Sequence, residues 1–157
     1  MTLPNLGRRG EGWVVAQSMI GLLIIVAGIV GEGWPSSVRA PLLIAGIATA
    51  LAGVVLFVAG VRALGTSLTP YPAPTESSTF REVGVYRFVR HPIYGSVLLM
   101  TLGWSLARSP LALAATAVLV ILLELKSRHE EAMLVARYPA YEAYRMRVRW
   151  RFVPKVH

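Results

Sequence analysis

The chain has 157 residues, of which 55% are hydrophobic and only 15% are charged, and this composition excludes an ordinary soluble domain. The absence of cysteine excludes disulfides, thiol catalysis and cysteine metal sites. The formal net charge is +8, but no soluble basic domain carries it, so we expect no nucleic-acid partner. We therefore expect a single membrane domain, 1–157, whose partner is the bilayer.

Four segments of the sequence lack any Asp, Glu, Lys, Arg or His, namely 12–31, 40–61, 92–107 and 109–123. The first two are long enough to cross a bilayer, which needs about 20 apolar residues. The other two are shorter and would form a helical hairpin that turns at 108–110, extended by flanking polar residues or accommodated by a thinner bilayer. The sequence therefore predicts an all-α integral membrane protein with four transmembrane helices and a cytoplasmic, helical C-terminal tail.

The basic residues predict the orientation of these helices. Fourteen of the sixteen lie on one side of the predicted membrane, and only Arg39 and Arg108 lie on the other. The positive-inside rule then places both termini and the central loop in the cytoplasm. We expect an integral protein of the bacterial inner (plasma) membrane.

Small and polar residues in the first two predicted helices indicate packing. Gln17 lies in an otherwise apolar run, and we expect it to bond to a neighbouring helix. Gly46, Gly53 and Gly60 repeat at seven-residue spacing in the second helix. Small residues on one face let helices approach closely in lipid, so this pattern predicts a packing seam rather than a binding motif.

The segment 62–83 is the longest stretch without a helical pattern. Its prolines favour an extended path, and loops of this length in small domains are commonly functional. Thr69, Tyr71 and Glu76 are candidates for contact with a ligand.

The segment from Gly84 to Tyr94 contains several side chains with hydrogen-bond donors, and it lies just before the third apolar segment and overlaps its start. Pro92 predicts the start of a helix, with Arg90 and His91 just outside its N-terminus. The N-terminus of a helix suits an anionic group. Because the residue before a proline is disfavoured in helical conformation, we expect His91 to lie outside the helix with its ring free to reach a ligand. The alternative is that these basic residues only set orientation.

The fourth helix should continue into the cytoplasm, because Glu124, Arg128 and Glu131 fall on one face at i, i+4 and i+7. Glu130 and Glu131 point about 100° apart, so they should not be equivalent. The tail from 138 to 157 alternates aromatic and basic residues, which predicts a segment lying on the membrane surface with its aromatic rings dipping in.

Three parts of the second half resemble a known pattern. They are Gly84-x-Tyr86 with Arg90-His91-Pro92-x-Tyr94, then Glu130-Glu131-x-x-Leu134, then Tyr141-x-x-Tyr144 leading to Arg151-Phe152-Val153-Pro154. Their order and spacing resemble the isoprenylcysteine carboxyl methyltransferase and phospholipid methyltransferase superfamily. The resemblance covers 84–154 and implies a small integral membrane methyltransferase that uses S-adenosylmethionine, with its motif region at 84–157.

The resemblance also implies roles for particular residues. Glu130 or Glu131 would accept from the ribose diol of the cofactor, and Arg90 and His91 would hold its carboxylate. The implied cofactor-binding residues are Tyr86, Arg90, His91, Pro92, Tyr94, Glu130, Glu131 and Leu134. Tyr141, Tyr144 and Arg151 would contact the substrate, with Arg151 and Glu124 as candidates for positioning the methyl acceptor.

The acceptor itself stays open among a lipid-like, isoprenylcysteine-type carboxylate, which we favour here, a phospholipid amine and a small thiol. An amine must lose a proton, and Glu124 or His129 could assist. A non-catalytic membrane scaffold is the alternative class. An ion carrier is disfavoured because no ionisable group lies in the middle of a predicted helix. We expect no metal site, because no two of the three histidines are spaced to lie on the same face of a helix.

Overall fold

A computed structural model describes residues 7, 10–65, 80 and 82–154 of the chain. Within these residues the fold contains α-helices and no β-strand, as predicted. The helices are α1 (Glu11–Val30), α2 (Ser36–Leu64), α3 (Pro92–Arg108), α4 (Pro110–Arg137) and α5 (Ala140–Arg147), with a short 3₁₀ helix at Gly84–Arg87. Thr69, Tyr71 and Glu76, the loop residues predicted to contact a ligand, lie outside the described residues.

Three of the helices are long and apolar enough to cross a membrane. They are α1, α2 and α4, with mean hydropathies of 2.3, 2.6 and 1.8 in their most apolar windows. The α1 and α2 bounds enclose or nearly match the predicted spans 12–31 and 40–61. α4 continues to Arg137, which confirms that this helix extends beyond its apolar part. α3 has 17 residues, so the count of four spans stays a prediction.

The glycine repeat of α2 forms its contact with α3, which confirms the predicted packing seam. Gly46, Gly53 and Gly60 are the buried residues of α2. A Cβ atom on Gly46 would collide with the Gly103 backbone of α3, so the two backbones approach as closely as glycine permits. α3 packs more extensively against α2 than against α4, and α4 packs mainly against α1.

The connection between α3 and α4 is a single residue. The Ser109 hydroxyl accepts from the Ala112 backbone N–H at 3.1 Å, which caps α4, and donates to the Ala27 carbonyl of α1 at 3.0 Å. Trp104 of α3 also donates to α1, at the Ile24 carbonyl over 3.2 Å. These bonds join α1, α3 and α4 at one end of the bundle.

The C-terminal segment packs against the protein, so the predicted insertion of its aromatic rings into the membrane is wrong for Tyr141, Tyr144 and Phe152. After the eight residues of α5 the chain is extended, and it returns to the turn before α3. The Arg90 and His91 backbone N–H groups donate to the carbonyls of Trp150 and Arg151, at 3.0 and 2.7 Å. The tail aromatics Tyr141, Tyr144 and Phe152 are buried in the protein, because the turn offers unpaired donors and the neighbouring helices offer apolar surface.

Candidate active site

The structure brings the three motif regions together at one point. Arg90 and His91 precede α3, Glu131 lies in the last part of α4, and Arg151 lies in the C-terminal segment. We call these four residues the Glu131 cluster. They lie at the end of the bundle opposite to Ser109, where the sequence predicts the cytoplasmic side.

Glu131 is the centre of this cluster. Its side chain is only 5% exposed. Its Oε1 accepts from Arg90 Nε at 2.8 Å and lies 3.1 Å from His91 Nε2, while Oε2 accepts from Arg151 Nη2 at 3.5 Å. A buried carboxylate is tolerated only when it is paired and hydrogen-bonded, and Glu131 meets both conditions. Its charge is therefore compensated inside the protein.

Arg90 joins Glu131 to the C-terminal segment. Besides its bond to Glu131, Arg90 donates from Nη1 to the carbonyl oxygens of Val148 and Arg149, at 2.7 and 2.8 Å. One guanidinium thus holds α4 and the returning chain in a fixed relation, which suits its rigid fork of donors.

The His91 ring is not free, contrary to the prediction from its position before Pro92. It is buried and stacks parallel to the Tyr94 ring, with centroids 5.3 Å apart. Nε2 faces Glu131, and Nδ1 lies 3.8 Å from Glu130 Oε2. α3 does begin at Pro92 with His91 as its N-cap, so the helix start is confirmed.

Glu130 differs from Glu131 in both exposure and partners. Its side chain is 24% exposed, and its Oε2 accepts from the Tyr94 hydroxyl at 2.5 Å. Glu130 is therefore the more exposed carboxylate of the pair.

A buried lysine, Lys126, lies beside this pair and was not predicted as a site residue, because the sequence indicated only its contribution to the charge on one side of the membrane. Lys126 Nζ donates to Gln17 Oε1 of α1 at 2.7 Å and lies 4.8 Å from the centroid of the Tyr94 ring. The bond confirms that Gln17 contacts a neighbouring helix. A lysine four residues before Glu130, on the same face of α4, was the available signal.

Arg151 and Glu124, the two candidates for positioning the acceptor, lie in direct contact. Arg151 Nη1 donates to Glu124 Oε1, which also accepts from Arg128 Nε at 2.8 Å. Burial disfavours the Arg151 charge, but the bond to Glu124 and the charge of Glu131 outweigh it, so the pKa of Arg151 lies above its ordinary value. Arg151 is therefore a permanent cation at this site.

Three other predicted site residues, Leu134, Tyr141 and Tyr144, belong to a packed cluster. Tyr141 and Tyr144 are both 2% exposed, and Leu134 packs against them together with Phe80, which was not predicted. The Tyr144 hydroxyl donates to the Tyr86 carbonyl at 2.7 Å. Burial raises the pKa of all three tyrosine hydroxyls, so they stay neutral. These tyrosines and Pro92 are buried, so they stabilise the fold around the site.

A second feature missed in the sequence is the contact between Gly95 and Phe152. A Cβ atom on Gly95 would overlap the Phe152 carbonyl oxygen, so α3 and the C-terminal segment meet here backbone to backbone. The signal was a glycine in the first turn of a helix, where no side chain fits against a close neighbour.

His129, a candidate base, takes no part in the hydrogen bonds and ion pairs of the Glu131 cluster among the described residues. Its ring faces Trp13 of α1, with centroids 5.9 Å apart.

The chain also matches a known protein family. The phospholipid methyltransferase family profile matches residues 42–140, which include α3, α4 and most of α2. Among curated proteins, no sequence matches the chain. The chain therefore belongs to the phospholipid methyltransferase family, within the isoprenylcysteine carboxyl methyltransferase-like superfamily of membrane methyltransferases that act on lipid-like substrates.

Proposed function

We propose that the protein transfers a methyl group from S-adenosylmethionine to a lipid-like acceptor at the membrane surface, beside the Glu131 cluster. The observation that carries this proposal is the meeting of Arg90, His91, Glu130, Glu131 and Arg151, from three distant parts of the chain, at one point. The alternative is that these basic residues only set the orientation of the helix in the membrane. Charges with that role would be exposed near the lipid headgroups, whereas the side chains of Arg90 and His91 are buried in the protein.

The chemistry of the donors and acceptors fits such a cofactor. Glu130, the more exposed carboxylate, suits the ribose diol, since acidic residues accept from ribose hydroxyls in other nucleotide sites. Arg151 suits the cofactor carboxylate, because it is the most exposed cation of the Glu131 cluster. Its buried Nε lies 3.4 Å from Glu131 Oε1 but makes no hydrogen bond among the described residues, so the donors of Arg151 are not all used within the protein, which suits a ligand oxygen.

The cofactor, when bound, supplies a methyl group that its sulfonium already makes electrophilic, so the chain needs no nucleophile of its own. The residues of this chain bind, orient and exclude water. Glu131 and Arg90 would act as positioning residues that hold Arg151 and the C-terminal segment in place. Correct orientation of the reactants contributes up to roughly 7–11 kcal/mol in ideal cases.

For the acceptor we propose a phospholipid amine in place of the isoprenylcysteine-type carboxylate favoured from the sequence, because the matching family is one of phospholipid methyltransferases. A small thiol stays as a third acceptor class. We further propose four spans with both termini in the cytoplasm, α3 being about 25 Å long and needing a locally thinner bilayer.

The test is methyl transfer by the purified protein in lipid nanodiscs. Labelled S-adenosylmethionine would be offered with phosphatidylethanolamine, an isoprenylated cysteine or an alkyl thiol, and the labelled product identified. We expect transfer to the phospholipid amine and calorimetric binding of S-adenosylmethionine. Binding without transfer to any acceptor would contradict the proposed acceptors, and no binding at all would favour a non-catalytic scaffold.

A further inference from the structure

A cavity lies at the other end of the bundle from the Glu131 cluster. It has a volume of about 290 Å³ and is formed by the end of α1, the α1–α2 turn and the end of α3. Its lining residues include Gly28, Gly33, Trp34, Arg39 and Arg108. The length of α3 separates it from Arg90 by about 25 Å, so it is distinct from the proposed methyl-transfer site.

Two arginines give this cavity its charge. Arg39 donates from Nε and Nη2 to the Trp34 carbonyl, at 3.3 and 3.2 Å. Arg108 donates from Nε to the Gly28 carbonyl at 3.1 Å, and its guanidinium lies 5.4 Å from the centroid of the Trp104 ring. These contacts fix both guanidinium groups while using only part of their donors.

Neither arginine is neutralised by the part of the chain that the structure describes. The ion pairs found there involve neither Arg39 nor Arg108. Glu32 lies in the same turn, but it does not line the cavity. The lining therefore carries two cations and no anion.

These two arginines are also the two basic residues that the sequence places on the far side of the membrane, against the positive-inside bias. A basic residue on that side opposes the orientation set by the other fourteen. Orientation therefore does not explain Arg39 and Arg108, yet both line the same cavity. Besides their bonds to backbone carbonyls, both guanidinium groups keep donors that suit an anion in this cavity.

We propose that this cavity binds the phosphate group of an anionic phospholipid headgroup in the far leaflet. Arginine is suited to phosphate because its planar fork donates two parallel bonds. The cavity is far larger than the roughly 30 Å³ of a water molecule and is of headgroup size. Its wall includes Trp34, a residue type typical of membrane–water interfaces, and the exposed Ile29, whose apolar side chain suits the acyl chains.

The test is a lipid-binding measurement on the full-length protein in detergent, by native mass spectrometry. The probes are phosphatidylglycerol, phosphatidylcholine and inorganic phosphate. We expect phosphatidylglycerol to bind most tightly, and Arg39→Gln and Arg108→Gln each to weaken it about tenfold or more. The matched control is Arg62→Gln at the other end of α2, which should leave the affinity unchanged.

A cavity-filling variant tests the site without removing charge. Gly33 is not among the glycines with a positive φ, and a Cβ atom there would make only ordinary contacts, 3.6 Å from Arg39 Nη2 and 3.9 Å from the Arg108 carbonyl oxygen, so the backbone accepts Gly33→Leu and the added side chain occupies the cavity. We expect this variant to keep the melting temperature and to lose phosphatidylglycerol. Equal phosphatidylglycerol affinity in the wild type and all three cavity variants would overturn the proposal. Inorganic phosphate binding as tightly as the lipid would overturn the assignment to a headgroup.

Discussion

Arg90 and Glu131 are 41 residues apart in the sequence, and their Nε and Oε1 atoms are 2.8 Å apart in the structure. Both side chains are nearly enclosed. Because Arg90 also donates to the Val148 and Arg149 carbonyls, this pair joins the turn before α3, the end of α4 and the C-terminal segment. The pair is therefore part of the fold as well as of the candidate site.

The first prediction is that Arg90→Gln lowers stability strongly. The change leaves Glu131 buried with a weakened set of donors, and breaking a buried pair costs about 3–5 kcal/mol. The measurement is a thermal melt in detergent. Arg145→Gln is the matched control, since Arg145 is exposed and its pair with Glu142 contributes less than about 1 kcal/mol. Equal melting temperatures for the two variants would contradict a structural role for Arg90.

The helices could be predicted because each depends on local signals. Apolar runs indicated α1 and α2, Pro92 indicated the start of α3, and the glycine repeat indicated the face of α2 that meets a neighbour. Such features follow from spacing and backbone preference alone.

The C-terminal segment could not be predicted, because its position depends on partners far away in the sequence. The residues after α5 read as a basic and aromatic anchor, yet the backbone N–H groups of Arg90 and His91 pair with Trp150 and Arg151. The Lys126–Gln17 bond has the same character, since it joins residues 109 positions apart. Periodicity can place a residue on a helix face, but it does not identify its partner in a distant part of the chain.

A second prediction separates the two adjacent glutamates. Glu130→Gln should weaken S-adenosylmethionine binding about ten- to a hundredfold with little change in melting temperature, because Glu130 is the more exposed carboxylate. Glu131→Gln should lower the melting temperature, because the positive charges of Arg90 and Arg151 lose their common partner. Calorimetric titration beside a melting curve measures both. A reversed pattern would exchange the two assignments.

A third prediction is that His91→Ala reduces stability and cofactor binding together. The ring is buried, stacks on Tyr94 and faces Glu131, so its removal leaves a small void and one fewer partner for the carboxylate. We expect a loss of about 1–3 kcal/mol. His129→Ala serves as the comparison because that ring faces Trp13 instead. An unchanged melt for His91→Ala would show that its contacts contribute nothing.

A fourth prediction tests the close approach of α3 to the C-terminal segment. Gly95→Ala should displace the Phe152 backbone and cost about 1–3 kcal/mol, as overpacking does. Gly21→Ala is the matched control, because a Cβ atom there meets nothing within 4 Å. In the helix interior the added methyl group should even stabilise α1 slightly. If both variants melt alike, the backbone contact at Gly95 is not tight.

The last prediction concerns the orientation of the bundle. The chain contains no cysteine, so single cysteines can be introduced without background labelling. Ser36 begins α2 near the arginine-lined cavity, and Ala143 lies in α5 near the Glu131 cluster; both positions are exposed. Because fourteen of the sixteen basic residues lie at the Ala143 end or in the segments predicted to share its side, this end should be cytoplasmic. A membrane-impermeant maleimide added to intact cells should therefore label Ser36→Cys, and should label Ala143→Cys only after the membrane is opened. Labelling of both positions in intact cells would refute the predicted topology, and labelling of Ala143→Cys alone would invert it.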